Sequence, residues 1–173
     1  MKIPKSDFVF KECGPEYIDE ILHIQDVAFE NIDDTAMLRK NSREMLLSCL
    51  SEPHYTLGAF VGDELAAFIV LYVAGDSPEN LGRDAGISEE NLATVANVKL
   101  VIVLPKYRGN GLQRILTEKL EDVAKTRGFK TLCCTVSPEN IPSIRNFEAC
   151  GYRLYQTKEK YDGLLRNIYY KEI

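Results

Sequence analysis

The chain has 173 residues, 45 % hydrophobic and 27 % charged, a balance that sets the expectation of one soluble domain (1–173) with a proper core. A formal net charge of −5 argues against a nucleic-acid partner, which needs a basic face, and is compatible with a cationic amine ligand. No apolar run reaches the roughly 20 residues that span a bilayer, and the opening Met1-Lys-Ile-Pro-Lys-Ser-Asp7 lacks a signal peptide's apolar core, so a cytoplasmic protein with no membrane partner is expected.

Residues 7–11 alternate and predict a short strand. Gly14-Pro15 breaks it, with Pro15 suited to the first turn of a helix whose apolar positions are Ile18, Ile21, Leu22 and Ala28. Glu30-Asn-Ile-Asp-Asp34 forms an acidic connector, in which Glu30, Asp33 and Asp34 are either an amine-holding cluster or solvated loop charge. A second helix, capped by Asn41 or Ser42, buries Met45, Leu46 and Leu50. Residues 54–61 and 64–73 read as a β-hairpin, with Gly62 and Asp63 both taking positive φ in the turn. Residues 75–94 are irregular, with short helices expected after Ser77 and Ser88. Such a segment is either a rim over a site or a surface excursion, and the sequence does not choose between them.

The most informative stretch runs from Asn97 to Gln113. Val98, Val101, Ile102 and Val103 read as a buried strand, which Pro105 stops because it has no N–H for the ladder. Arg108-Gly-Asn-Gly111 then makes a tight basic loop, followed by a helix burying Leu112, Ile115, Leu116, Leu120, Val123 and Ala124. Strand, glycine loop and helix start form a layout that receives phosphates: glycines let the main chain approach oxygen atoms, and the first helical N–H groups lack partners. The loop is neither a P-loop nor a dinucleotide GxGxxG, and a plain turn explains the glycines taken alone.

The helix ends at Arg127-Gly128, and residues 130–136 predict the next strand. Residues 152–158 and 161–172 close the sheet as an antiparallel pair around Asp162-Gly163 or just before it. Five cysteines (Cys13, Cys49, Cys133, Cys134, Cys150) without C-x-x-C spacing read as reduced, buried thiols, and two histidines make a zinc site improbable.

Val103-Leu-Pro-Lys-Tyr-Arg-Gly-Asn-Gly-Leu112 resembles VxPxYRGxGL, the acetyl-CoA signature of the GNAT superfamily of N-acetyltransferases. A second stretch resembles that family's N-x-x-A-x-x-x-Y-x-x-x-G-F block, with Asn140, Ser143, Phe147, Gly151 and Tyr152 at its marked positions. The resemblance implies an α+β, single-domain GNAT-like fold: a mixed, mostly antiparallel sheet, splayed between its fourth and fifth strands, with helices on both faces. It also implies acetyl-CoA as co-substrate, no metal, and a primary amine acceptor on a small molecule, peptide or protein; it leaves room for a homodimer.

Carried over by position, main-chain groups of Val101, Ile102 and Val103 hold the pantetheine arm. N–H groups from Arg108, Gly109, Asn110, Gly111, Leu112 and Gln113 hold the pyrophosphate, while Asn140, Ser143 and Phe147 lie beside the thiol end. Three departures leave the catalytic residues unassigned. Gln113 stands at a usually small position, Phe147 replaces the tyrosine often used as the acid, and Asn97 replaces a basic glutamate and could at most orient a water. Ser137, His54 and Tyr161 are substitute candidates. The alternative reading, favoured by Phe147 and Asn97, is a catalytically impaired acyl-CoA-binding or sensing module.

Overall fold

Apolar, β-branched runs in the middle of the chain become the middle of a seven-stranded sheet. The structure, a computed structural model, describes residues 1–32, 34 and 37–173. Its strands are β1 (Phe8–Glu12), β2 (Tyr55–Val61), β3 (Glu64–Tyr72), β4 (Val95–Val103), β5 (Thr131–Val136), β6 (Arg153–Lys160) and β7 (Leu164–Glu172), in the order β1-β2-β3-β4-β5-β7-β6. Every pair is antiparallel except β4–β5, which is parallel and closed by a helical crossover, as parallel pairs require. The described helices are α1 (Ile18–Glu30), α2 (Arg43–Ser48), α3 (Leu112–Thr126) and α4 (Ile141–Ala149). Every residue of β3 between Leu65 and Leu71 is buried, so the sheet is covered on both faces there; α1 and α3 pack against it.

Local chemistry places the helices. Ser42, not Asn41, caps α2, its side chain accepting from the Met45 N–H. Asn41 is instead tied to α1: Gln25, fully buried, donates from Nε2 to the Asn41 carbonyl (2.8 Å) and accepts the Asn41 N–H at Oε1 (2.9 Å). That buried pair fixes the segment joining the two helices. Asn140 caps α4 by accepting the Ser143 N–H, and Gly128, at φ +87°, ends α3.

Two turn expectations need correction. In the β2–β3 hairpin Gly62 takes positive φ (+58°) but Asp63 does not, one left-handed residue sufficing for the reversal. Between β6 and β7 the left-handed backbone extends over Tyr161, Asp162 and Gly163, so β7 begins at Leu164 and Tyr161 belongs to the turn. No helix follows Ser77; Ser88 does precede a 3-10 turn, Glu89–Thr94.

All five cysteines are buried and unpaired, and burial pushes the Cys13 and Cys133 thiols up to about 12. Such thiols stay protonated and inert. Tyr152 is also buried, its ring edge-on to Phe147 at 5.2 Å, but its hydroxyl has no hydrogen-bond partner among the described residues. A buried donor left unmade is costly. Replacing Tyr152→Phe removes that hydroxyl without changing the ring, so denaturant unfolding should show a gain in stability of about 1 kcal/mol or more.

Candidate functional site

The parallel contact between β4 and β5 is short. It joins Val95 to Thr131, Ala96 to Leu132 and Asn97 to Cys133, and then the strands part. Beyond that point β4 is paired with β3 alone. The Leu104 N–H donates to the Ala66 carbonyl (2.9 Å), which fixes the antiparallel alternation: Leu104, Ile102 and Leu100 direct their main-chain groups to β3. Those of Val101 and Val103 therefore face the gap. This separates three residues that the sequence treats alike, because Ile102 has its N–H and C=O in the β3 ladder.

At the end of β4 the Pro105–Tyr107 turn leads into the glycine loop. Tyr107 and Lys106 both reach Glu64 at the start of β3, at 2.5 and 2.8 Å, and so hold the turn against the sheet. Gly109 (φ +82°) and Gly111 (φ +74°) occupy left-handed backbone that strains other residues. Main-chain N–H groups from Gly109 to Arg114 have no partner among the described residues, since the first intrahelical bond is Ile115 N–H to the Gly111 carbonyl. Arg108 differs: its N–H already donates to Pro105, leaving its exposed guanidinium as its free group. The Asn110 side chain turns away from the gap, accepting the Ile3 N–H (3.0 Å) and donating to the Met1 and Tyr107 carbonyls. Lys2 donates to the Gly109 carbonyl. The N-terminal residues thus brace the outer side of the loop.

Two cavities meet at this point. A loop cavity of about 420 Å³ is lined by Val101, Ile102, Val103, Arg108, Gly109, Gly111, Leu112, Gln113, Asn140 and Ser143. A gap cavity of about 380 Å³ lies where β4 and β5 part, lined by Asn97, Lys99, Val101, Ser137, Asn140, Ser143, Phe147 and Tyr161. Met37, Leu38, Val101, Asn140 and Ser143 line both, so the two are neighbouring chambers along one path. Gln113, the unexpected large residue, bridges the helices beside that path. It donates to Ser143 Oγ (2.9 Å) and accepts from Asn146 Nδ2 (3.3 Å), linking α3 to α4 with hydrogen bonds.

The irregular segment after β3 proves to be a rim. Pro78, Glu79 and Leu81 line the gap cavity. Asn97 holds them: its Nδ2 donates to the Glu79 carbonyl (2.9 Å) and its Oδ1 accepts the Leu81 N–H (3.2 Å). The amide that could at most orient a water is therefore committed to the rim's backbone at both ends. Asn80, fully buried, closes the segment internally on Gly75, Gly82 and Leu92. On the far side Asp84 receives Lys158 (2.8 Å) and Lys160 (3.0 Å) from β6. Burial alone raises the Asp84 carboxyl, but its hydrogen bonds to these lysines outweigh that and hold it below its ordinary value.

Other expected residues fall in different places. Ser137 and Tyr161 reach the gap cavity, the Tyr161 hydroxyl 3.2 Å from Thr135 Oγ1. His54 does not line it. Its Nδ1 accepts the Val73 N–H (3.0 Å) and its ring stacks on Tyr72, with centroids 4.2 Å apart. Phe147 packs on Tyr152 and lines the cavity wall. Glu30 and Asp34 are not among the lining residues, and Asp33 lies outside the described residues. Several lining groups escaped the sequence reading, Arg39, Lys158, Lys160 and Arg166 among them, and two more have a clear origin. Lys99 sits where β4 slips register against β3, the extra residue of a bulge, and Glu79 comes from the rim.

Residues 18–152 match the model of the acetyltransferase (GNAT) family. The chain is 31 % identical over 121 residues to the L-2,4-diaminobutyric acid acetyltransferase of Nocardia farcinica, a match covering 69 % of this chain and 55 % of that protein. The chain thus spans about half the length of that relative. Its fold is similar to the ribosomal-protein-S18-alanine N-acetyltransferase of Escherichia coli, with a TM-score of 0.72, 20 % identity, and coverage of 96 % of this chain and 94 % of that one. A putative acetyltransferase of Salmonella typhimurium, solved with acetyl-CoA, gives 0.71 at 15 % identity, with the same coverage of both chains. At these identities the structural likeness is one of fold.

The two-ended grip of Asn97 sets the rim in place. Asn97→Leu leaves the Leu81 N–H and the Glu79 carbonyl without that grip, and should cost about 2 kcal/mol or more. Hydrogen exchange should show Leu81 losing protection ahead of β3 and β4; equal protection in both proteins would contradict the assignment.

Proposed function

This chain belongs to the acetyltransferase (GNAT) family, and we propose that it transfers an acetyl group from acetyl-CoA to a primary amine by direct attack. The observation that carries the reading is the continuity of open main-chain groups with the two chambers. Unpartnered N–H groups at the start of α3 adjoin the loop cavity, and the gap-facing groups of Val101 and Val103 lead from it into the gap cavity. Anionic phosphates suit the first, where the helix dipole and the Arg108 guanidinium add positive charge. A strand edge left open in a covered sheet suits an amide-bearing chain such as pantetheine.

The chain's own residues do the rest. Gly109 to Gln113 hold the phosphates through main-chain N–H groups. Val101 and Val103 hold the arm, with Asn140, Ser143 and Phe147 packed at its end. Acetyl-CoA supplies the activated thioester; the new N–C bond forms as the C–S bond breaks. The amine nitrogen must lose a proton, and neither Phe147 nor the committed Asn97 can take it. We assign that role to Glu79, whose backbone Asn97 holds and whose carboxylate, on the cavity wall, accepts a hydrogen bond from the Tyr72 hydroxyl (3.0 Å). The departing thiolate is a tolerable leaving group and takes its proton from water. A lost acid at Phe147 therefore slows transfer without abolishing it, which favours an enzyme over the impaired binding module.

Gly111→Asp should weaken acetyl-CoA binding severely in calorimetric titration. It places a carboxylate beside the phosphates and forces a side chain onto left-handed backbone. Absence of any heat from the unaltered protein at millimolar acetyl-CoA would end the reading. Glu79→Gln should lower kcat by on the order of 10²-fold, with acetyl-CoA affinity retained. A kcat equal to that of the unaltered chain would remove Glu79 from the mechanism.

A further inference from the structure

The charge of the gap cavity runs opposite to that of the whole chain. Its wall carries cations from three strands and from the segment joining α1 to α2, and most of them are already answered. Lys158 and Lys160 share the Asp84 carboxylate, and the buried Arg166 lies in the field of Asp34. Two are not. Lys99 and Arg39 have no ion pair and no side-chain hydrogen bond among the described residues. Each rests against an aromatic face instead: the Lys99 ammonium 4.7 Å from the Tyr72 ring centre, the Arg39 guanidinium 4.2 Å from that of Tyr161. Of the carboxylates on the wall, Glu79 accepts from Tyr72 and stands beyond ion-pairing distance of Lys99, and Glu159 is exposed.

Lys99 is the more telling of the two. It is the extra residue of the β4 bulge, so its direction is set by the backbone rather than by a surface partner. It is half-buried, and burial draws its ammonium below the ordinary value despite the nearby Glu79. A cation partly removed from water without a counter-ion is costly, and an incoming anion relieves that cost. Arg39 lies over Tyr161 and is exposed, and its forked N–H donors, without a partner among the described residues, suit a planar anion.

We propose that the acceptor is a small amine that also carries an anionic group, which Lys99 and Arg39 hold while the amine faces Val101 and Glu79. This rests on the acetyl-transfer reading of the two cavities and narrows its acceptor. The cavity, at about 380 Å³, is of a size for a small molecule.

The test uses the full chain and matched sets of acceptors: an amino carboxylate, its phosphonate analogue and its uncharged carboxamide. Release of CoA should favour at least one charged member over the carboxamide by about tenfold or more in kcat/KM. Lys99→Met and Arg39→Gln should each bring that ratio toward one, chiefly through KM, whereas Lys99→Arg should keep it. Equal use of the carboxamide overturns the proposal, as does a ratio that neither variant moves. Should the protein bind acetyl-CoA yet turn over no member, calorimetric titration of the CoA-saturated chain with the amino carboxylate decides. Heat that is lost in Lys99→Met upholds the proposal, and no heat overturns it. Failure to bind acetyl-CoA would remove the transferase reading itself, and this one with it.

Discussion

Past Asn97, β4 has a neighbour on one side only. Inside a covered sheet that is a costly arrangement, because main-chain N–H and C=O groups removed from water require partners. Everything at the site follows from how the molecule manages those groups. The ladder with β3 takes Ile102 and Leu100. The parting from β5 leaves Val101 and Val103 facing a chamber, and the glycine loop continues the same line of open N–H groups around the corner into α3. A ligand that presents acceptors along its length can satisfy the whole line. No group among the described residues does so.

The second organising feature is the use of an amide where a carboxylate is common in the family. An amide is no base, and Asn97 is occupied elsewhere. Its donor and its acceptor both go to the backbone of the segment after β3, and that contact turns an irregular insertion into a fixed wall. The wall brings Glu79 to the cavity from one side, and Asp84 draws Lys158 and Lys160 toward it from the other. Charge at the site is thus set by the insertion, β6, the β4 bulge, Arg39 and Arg166 together, and owes little to the net charge of −5 over the chain. A similar logic governs Gln113, whose side chain is too large for close backbone approach and instead bridges α3 and α4 through Ser143 and Asn146.

Much of the architecture was legible in the chain. Apolar, strand-like runs gave β3, β4 and β5, the spacing of Leu112, Leu116, Leu120 and Ala124 gave α3, and Gly111 and Gly128 marked its two ends. These are local properties: side-chain periodicity and φ preference act over a few residues, so a window of sequence contains their cause. The glycine loop and the parted strands were readable for the same reason, through a contiguous string that resembles a known family signature.

What the tertiary structure decided was where side chains from distant segments end. Asn97 meets Glu79 and Leu81 across 18 and 16 residues of chain, and Asp84 meets Lys158 and Lys160 across more than 70. Sequence could not rank Val101, Ile102 and Val103, because strand alternation relative to β3 depends on which residue first bonds across. Nor could it find Lys99, since a bulge arises from register between two strands and leaves no trace in either alone. The chain by itself determined which elements form and which loop stays open; the folded register determined which atoms face the opening.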